Sequence, residues 1–120
     1  MTPDGPSDPN MLRDLMQAAQ KMQSEVERVR DELSRRAIDG ESGGGLVRCT
    51  VSGAGEVLSL AIEPTVANLA GSDPAGSLKM IADLSVATVN AALERAREVA
   101  RTEMARVTGG VGLPPGMFGS

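Results

Sequence analysis

Residues 38–64, IDGESGGGLVRCTVSGAGEVLSLAIEP, read as a compact β unit in which glycine marks each reversal. Three consecutive glycines, Gly43, Gly44 and Gly45, supply the left-handed backbone of a tight turn at no steric cost. Residues 46–52 then alternate, with Val47, Cys49 and Val51 on one face and Arg48, Thr50 and Ser52 on the other. Gly53-Ala54-Gly55 is the second reversal. Residues 56–63 alternate again, with Leu58, Leu60 and Ile62 on one side and Val57, Ser59 and Ala61 on the other, until Pro64 ends the strand. A short strand at 37–41 precedes the first reversal. The stronger face, Val47, Cys49, Val51, Leu58, Leu60 and Ile62, calls for cover by helices. The weaker face, Leu46, Val57 and Ala61, is enough for a subunit contact.

Working outward, a long helical pattern flanks the unit on each side. On the N-terminal side Asn10 is a good N-cap. From there to about residue 36 the apolar positions are Leu12, Leu15, Ala19, Met22, Val26, Val29 and Leu33, a heptad seam between polar residues. Such a seam suits an amphipathic helix lying on a core and equally one member of a two-helix arm. On the C-terminal side Asp73 is an N-cap with Pro74 at the first helical position. That helix is expected to run to Val107, with Gly109 near its C-cap. Its residues Leu78, Ile81, Ala82 and 84–89 are rich enough to pack on the sheet. Beyond them the seam thins to Leu93, Ala96, Ala100 and Met104 or Val107.

Lengths constrain the shape. A helix over 10–36 is roughly 40 Å long at ~1.5 Å per residue, whereas an eight-residue strand spans roughly 27 Å. The first helix joins the sheet by its C-terminal end and the last by its N-terminal end. Their free ends, near Leu12 and Met104, are therefore expected to project together past the sheet as an antiparallel pair. The fold class is α+β, in the order α-β-β-β-α, with a three-stranded antiparallel sheet and two long helices as projecting arms. Residues 1–10, rich in Pro and Asp, read as a disordered lead-in; 11–108 read as one domain, and 109–120, GGVGLPPGMFGS, as a Gly/Pro-rich tail.

Composition bounds the chemistry. The 120 residues include a single aromatic, Phe118, so Leu, Val, Ile, Met and Ala must build the core, and a core shared between two subunits suits so thin a chain. Histidine is absent, which removes the commonest general base and metal ligand. The lone Cys49 can form no internal disulfide and alternates into the apolar face as a structural thiol. No apolar run approaches the ~20 residues needed to span a membrane, and the N-terminal residues lack the charged and apolar regions of a secretion signal. A cytoplasmic protein without membrane contact is expected. Gly40–Gly45 is Gly-rich but lacks the Gly-Lys-Ser/Thr ending of a phosphate-binding loop and leads into a strand. No cofactor, metal or catalytic site is expected, and an enzyme reading finds no support.

The segments MLRDLMQAAQKMQSEVERVRDEL and GESGGGLVRCTVSGAGEVLSLAIEP, the final long helix and the Leu-Pro-Pro-Gly at 113–116 together resemble the YbaB/EbfC family of nucleoid-associated proteins over roughly residues 11–116. The chain departs from the family's usual pattern at 67–76, which is less acidic, and in its preference for Arg over Lys. The resemblance implies a tweezer-like homodimer that binds double-stranded DNA with little sequence preference, alters its conformation, and acts in nucleoid organisation or gene regulation in the bacterial cytoplasm.

The net charge is −4, so nucleic-acid binding must come from local clusters of arginine. If the arms meet DNA, the candidates are Arg13 and Lys21 on the first helix and Arg95, Arg97, Arg101 and Arg106 on the last. Arginine suits phosphate and the narrow minor groove. No aromatic platform exists for unpaired bases, and no helix-turn-helix or zinc-finger pattern is present. Glu94, Glu98 and Glu103 are interleaved with the same arginines, which is also the pattern of an ordinary solvated helix face. The alternative is a scaffold for replication or recombination proteins, gripped through the seam of Leu12, Leu15, Ala19 and Met22.

Overall fold

The central three strands form as the alternation demands. The computed structural model describes residues 9–69 and 73–109, and in it β1 (Ala37–Ser42), β2 (Val47–Ser52) and β3 (Val57–Ile62) make an antiparallel sheet in the order β1-β2-β3. Two long helices flank it: α1 (Pro9–Arg35) and α2 (Pro74–Gly109). The order α-β-β-β-α and the α+β class are as expected. Of the expected lead-in and tail, only Pro9, Asn10 and Gly109 lie within the described residues, and all three belong to the helices.

Gly43, Gly44 and Gly45 all take positive φ, at 63°, 68° and 91°, and form the single 3-10 turn between β1 and β2. A side chain at any of the three would be strained. The register sets Gly40 opposite Cys49, and Cys49 opposite Leu60. A bulge opposite Thr50 and Val51 leaves Leu58 without a cross-strand partner.

The core lies where α2 crosses β1 and β2. Ile38, Cys49 and Val51 from the sheet are buried against Ala92 and Ala96, with Val89, Leu93 and Val99 packed around them. This is farther along α2 than the sequence suggested: Leu78 and Val86 remain 67% and 62% exposed. The reason is size. Alanines at 92 and 96 let the helix approach the glycine at 40 more closely than leucines could. Two polar pins fix the approach. Ser42 Oγ donates to the Thr88 hydroxyl at 2.5 Å and lies 3.2 Å from the Leu84 carbonyl oxygen. Thr88 itself is fully buried and donates to the same carbonyl at 2.6 Å. At the start of α2, the Asp73 carboxylate accepts from Ala75 N at 3.2 Å, as its N-cap reading required.

The expectation that helices cover the whole apolar face is corrected at β3. Leu58, Leu60 and Ile62 are 56%, 42% and 39% exposed, and Val57, expected on the weaker face but set opposite Val51 by the bulge, is 51% exposed. The axis of α2 follows β1 and β2, and α1 meets the sheet only by its C-terminal end, where Gly53 N donates to the Arg36 carbonyl oxygen at 3.0 Å. No described element of the same chain is left to cover the third strand.

The arm is also staggered. Val29 and Leu33 of α1 are buried, beside Glu103 of α2. Farther out, Arg106 and Val107 face Leu15, Ala19, Met22 and Glu25. α1 extends roughly 36 Å beyond Leu33, whereas α2 has only ten residues, roughly 15 Å, beyond Val99. Leu12 therefore stands past the last described turn of α2 and not level with Met104. The molecule is elongated, 87 × 28 × 18 Å. No described helix is long and apolar enough to cross a membrane.

Candidate nucleic-acid interface

Most of the basic residues are already engaged with carboxylates. On α2, Arg97 donates through Nη2 and Nε to one oxygen of Glu94, at 2.9 and 3.1 Å. Arg101 lies 3.6 Å from both Glu94 and Glu98. Arg106 is 3.5 Å from Glu103, whose same oxygen is 3.8 Å from Arg36 at the end of α1. Arg97–Glu94, Arg101–Glu98 and Arg106–Glu103 follow the i,i+3 spacing of a helix face, Arg101 reaches Glu94 across two turns, and the Arg36 bridge crosses between the helices. The hydrogen bonds and charge of Arg97, aided by Arg101, hold the Glu94 carboxyl below the usual carboxylate range. On α1, Arg28 bonds to both Glu25 and Glu32, at 2.8 and 2.6 Å, and holds Glu25 low in the same way.

Arg95 does not share this face. Its Nη1 donates to the backbone carbonyl of Asp39 at 2.8 Å. It thereby caps an oxygen on edge strand β1, beside the open polar face formed by Asp39, Glu41, Arg48, Thr50 and Ser59. A charged cap of this kind blunts a sheet edge against further pairing.

Arg13, Lys21 and Arg30 make no ion pair with any described carboxylate, and all three are exposed on α1. Lys21 is near enough to Glu25 to favour its ionised form slightly. These three side chains are spread along about 26 Å of helix, at ~1.5 Å per residue. Of the six candidates read from the sequence, Arg13 and Lys21 have no ion pair among the described residues, Arg97, Arg101 and Arg106 are set in a carboxylate ladder, and Arg95 lies at the sheet. Arg30 was missed. Asp31, next to it in the sequence, pairs with Arg35.

Cys49 is buried, and burial pushes its thiol up, away from the reactive thiolate. Among the described residues no group of acidic, histidine or cysteine side chains is placed to hold a metal ion.

Comparison with known proteins now bears on this geometry. The family model described as the YbaB/EbfC DNA-binding family matches residues 8–111. A nucleoid-associated protein of Ruminiclostridium cellulolyticum is 38% identical over 107 residues, covering 89% of this chain and 88% of that one. Another, from Streptomyces griseus, is 40% identical over 112 residues, covering 93% and 91%. Among solved structures, an uncharacterized protein, HP0035, from Helicobacter pylori shares the fold with a TM-score of 0.59 at 18% identity, covering 79% of this chain and 90% of that one. The chain belongs to the YbaB/EbfC DNA-binding family.

Proposed function

We propose that the protein is a nucleoid-associated protein that binds duplex DNA with low sequence preference, as a homodimer, in the nucleoid of the cytoplasm. The observation that carries this reading is membership of a DNA-binding family over residues 8–111. First contact on Arg13, Lys21 and Arg30 of α1 is supported by the pattern of pairing, since these are the described cations that would not have to surrender a described carboxylate to meet a phosphate. Arg97, Arg101 and Arg106 are the reserve, since each must break an ion pair, though exposed pairs of this kind are weak. Arg95 is the least available of the six. With no base-reading motif on the arm, phosphate contacts dominate, and affinity depends on salt more than on sequence.

The homodimer reading rests on β3. Four large apolar side chains on one edge strand need cover, and a second copy of the same strand offers the matching face. Paired protomers, each 87 Å long, would touch a duplex at separated points, which is the means by which the protein would alter its conformation. The test is a mobility shift with several unrelated duplexes of equal length. Comparable affinities for all of them support the reading; strong preference for one contradicts it.

A second reading is favoured by one observation. Met11, Leu12, Leu15 and Met16 are all about half exposed. As a scaffold for replication or recombination proteins, the chain would use this apolar stretch to grip a partner. Recovery of a stoichiometric partner after nuclease treatment would favour that reading over direct DNA contact.

A further inference from the structure

One carboxylate on α2 holds two arginines. Arg97 gives its Nη2 and Nε to Glu94 Oε2, at 2.9 and 3.1 Å. The other oxygen, Oε1, lies 3.6 Å from Arg101 Nη2, and Glu98 stands 3.6 Å from that same nitrogen. Glu103 is a different case. Its side chain is only 25% exposed, and one oxygen is shared by Arg106 and Arg36, so it ties the two helices together. We infer that Glu94, aided by Glu98, is an autoinhibitory residue of the arm: it holds Arg97 and Arg101 out of phosphate contact and so limits the affinity for duplex DNA. This rests on the DNA-binding reading above and names the residues that restrain it.

Three observations support this role. The first is charge. Arg97 and Arg101 are matched by Glu94 and Glu98, and Arg95 is engaged at the Asp39 carbonyl, so this exposed face presents no net charge. The second is geometry. An arginine grips a phosphate best through a two-bond fork, and Nη2 and Nε, one such fork of Arg97, are the atoms already given to Glu94. The third is range. The ion pairs themselves are exposed and weak. A phosphate on Arg97 would nevertheless stand well within the Debye length, about 10 Å at 0.1 M salt, of the Glu94 charge, and would be repelled even with the pair opened. The hydrogen bonds from Arg97 also hold this carboxyl below its ordinary range, so it stays ionised at neutral pH.

The test is a salt series of duplex affinity on charge-neutralised variants. Glu94→Gln keeps the side chain's size and removes its charge. In a dimer that change frees two Arg97 side chains and should steepen the slope of log affinity against log salt by about 2. Adding Glu98→Gln frees Arg101 as well and should steepen it by about 4 in all. The gain in affinity from Glu94→Gln should therefore be about tenfold larger at 50 mM than at 200 mM salt. Arg97→Ala in the Glu94→Gln background should abolish that gain. Glu63→Gln, the same loss of charge just past β3, should leave the slope unchanged. A parental slope in Glu94→Gln would overturn the inference while leaving DNA binding standing. So would a gain that survives the loss of Arg97 or is matched by Glu63→Gln, since either would make it an effect of overall charge. No binding by the parent or any variant, even at low salt, would overturn the DNA-binding reading and this inference with it.

Discussion

Gly40 of β1 meets the backbone of α2 at Ala92, so closely that a Cβ on residue 40 would fall 2.7 Å from the Ala92 Cα and amide nitrogen. Real Cβ atoms do not approach so near, and the obstacle is backbone, which cannot rotate aside. Gly40→Ala must push α2 off the sheet at the centre of the core. A cost of about 1–3 kcal/mol is expected for such overpacking. Denaturant unfolding at fixed protein concentration would measure it. A loss under ~0.5 kcal/mol, the level of an ordinary surface change, would mean that the helix is free to shift and that the packing is looser than described.

The exposed β3 face predicts the assembly. Leu60, opposite Cys49 in the register, is 42% exposed in the protomer. Leu60→Glu places a charge where a second copy would bury an aliphatic group, while the side chain can still reach water in the monomer. Light scattering should find the parent protein at twice 12.4 kDa and the variant near 12.4 kDa. A variant that stays dimeric would move the interface elsewhere, the weaker sheet face around Ala61 being the next candidate.

How much of this could be read beforehand depends on the range of the interaction. Alternation assigned Val47, Cys49 and Val51 to one face, and all three are buried. The same alternation assigned Leu60 and Ile62 to that face, and they are not covered. Periodicity says which way a side chain points; it does not say whether the same chain supplies something to lie against it. The pairing of Arg97 with Glu94 was legible because it is local, three residues apart on one helix. The capture of Arg95 by the Asp39 carbonyl was not, since those residues are 56 positions apart and meet through the helix–sheet packing alone. The stagger of the arm escaped notice for a related reason: it depends on which alanines of α2 reach the sheet.

The Glu94 site predicts a pH response with a definite sign. Arg97, through its hydrogen bonds and charge, lowers the carboxyl below its ordinary value of 4.5 in the folded chain. The unfolded chain lacks this partner, so the pair's contribution to stability is present above about 4.5 and is lost as pH falls through the folded value. The pair is fully exposed, so the contribution is small. Carbon-detected titration of the Glu94 carboxyl should give a midpoint below 4.5 that rises in Arg97→Ala. A midpoint indifferent to that substitution would mean that Arg97 is not seated on Glu94 in solution, and the distinction between paired and unpaired cations would lose its basis on α2.

The central claim is phosphate-dominated DNA contact led by α1, and a salt series of duplex affinity on light-scattering-verified dimer tests it most directly. Three cations per chain without an ion pair among the described residues give six in a dimer, and at ~0.9 per neutralised phosphate the slope of log affinity against log salt should be about −5. Changing Arg13, Lys21 and Arg30 together to Ala should flatten most of that slope, whereas changing Arg97 and Arg101 to Ala should leave it nearly intact. No shift even at low salt, or a slope that survives the α1 changes and collapses with the α2 pair, would contradict the account.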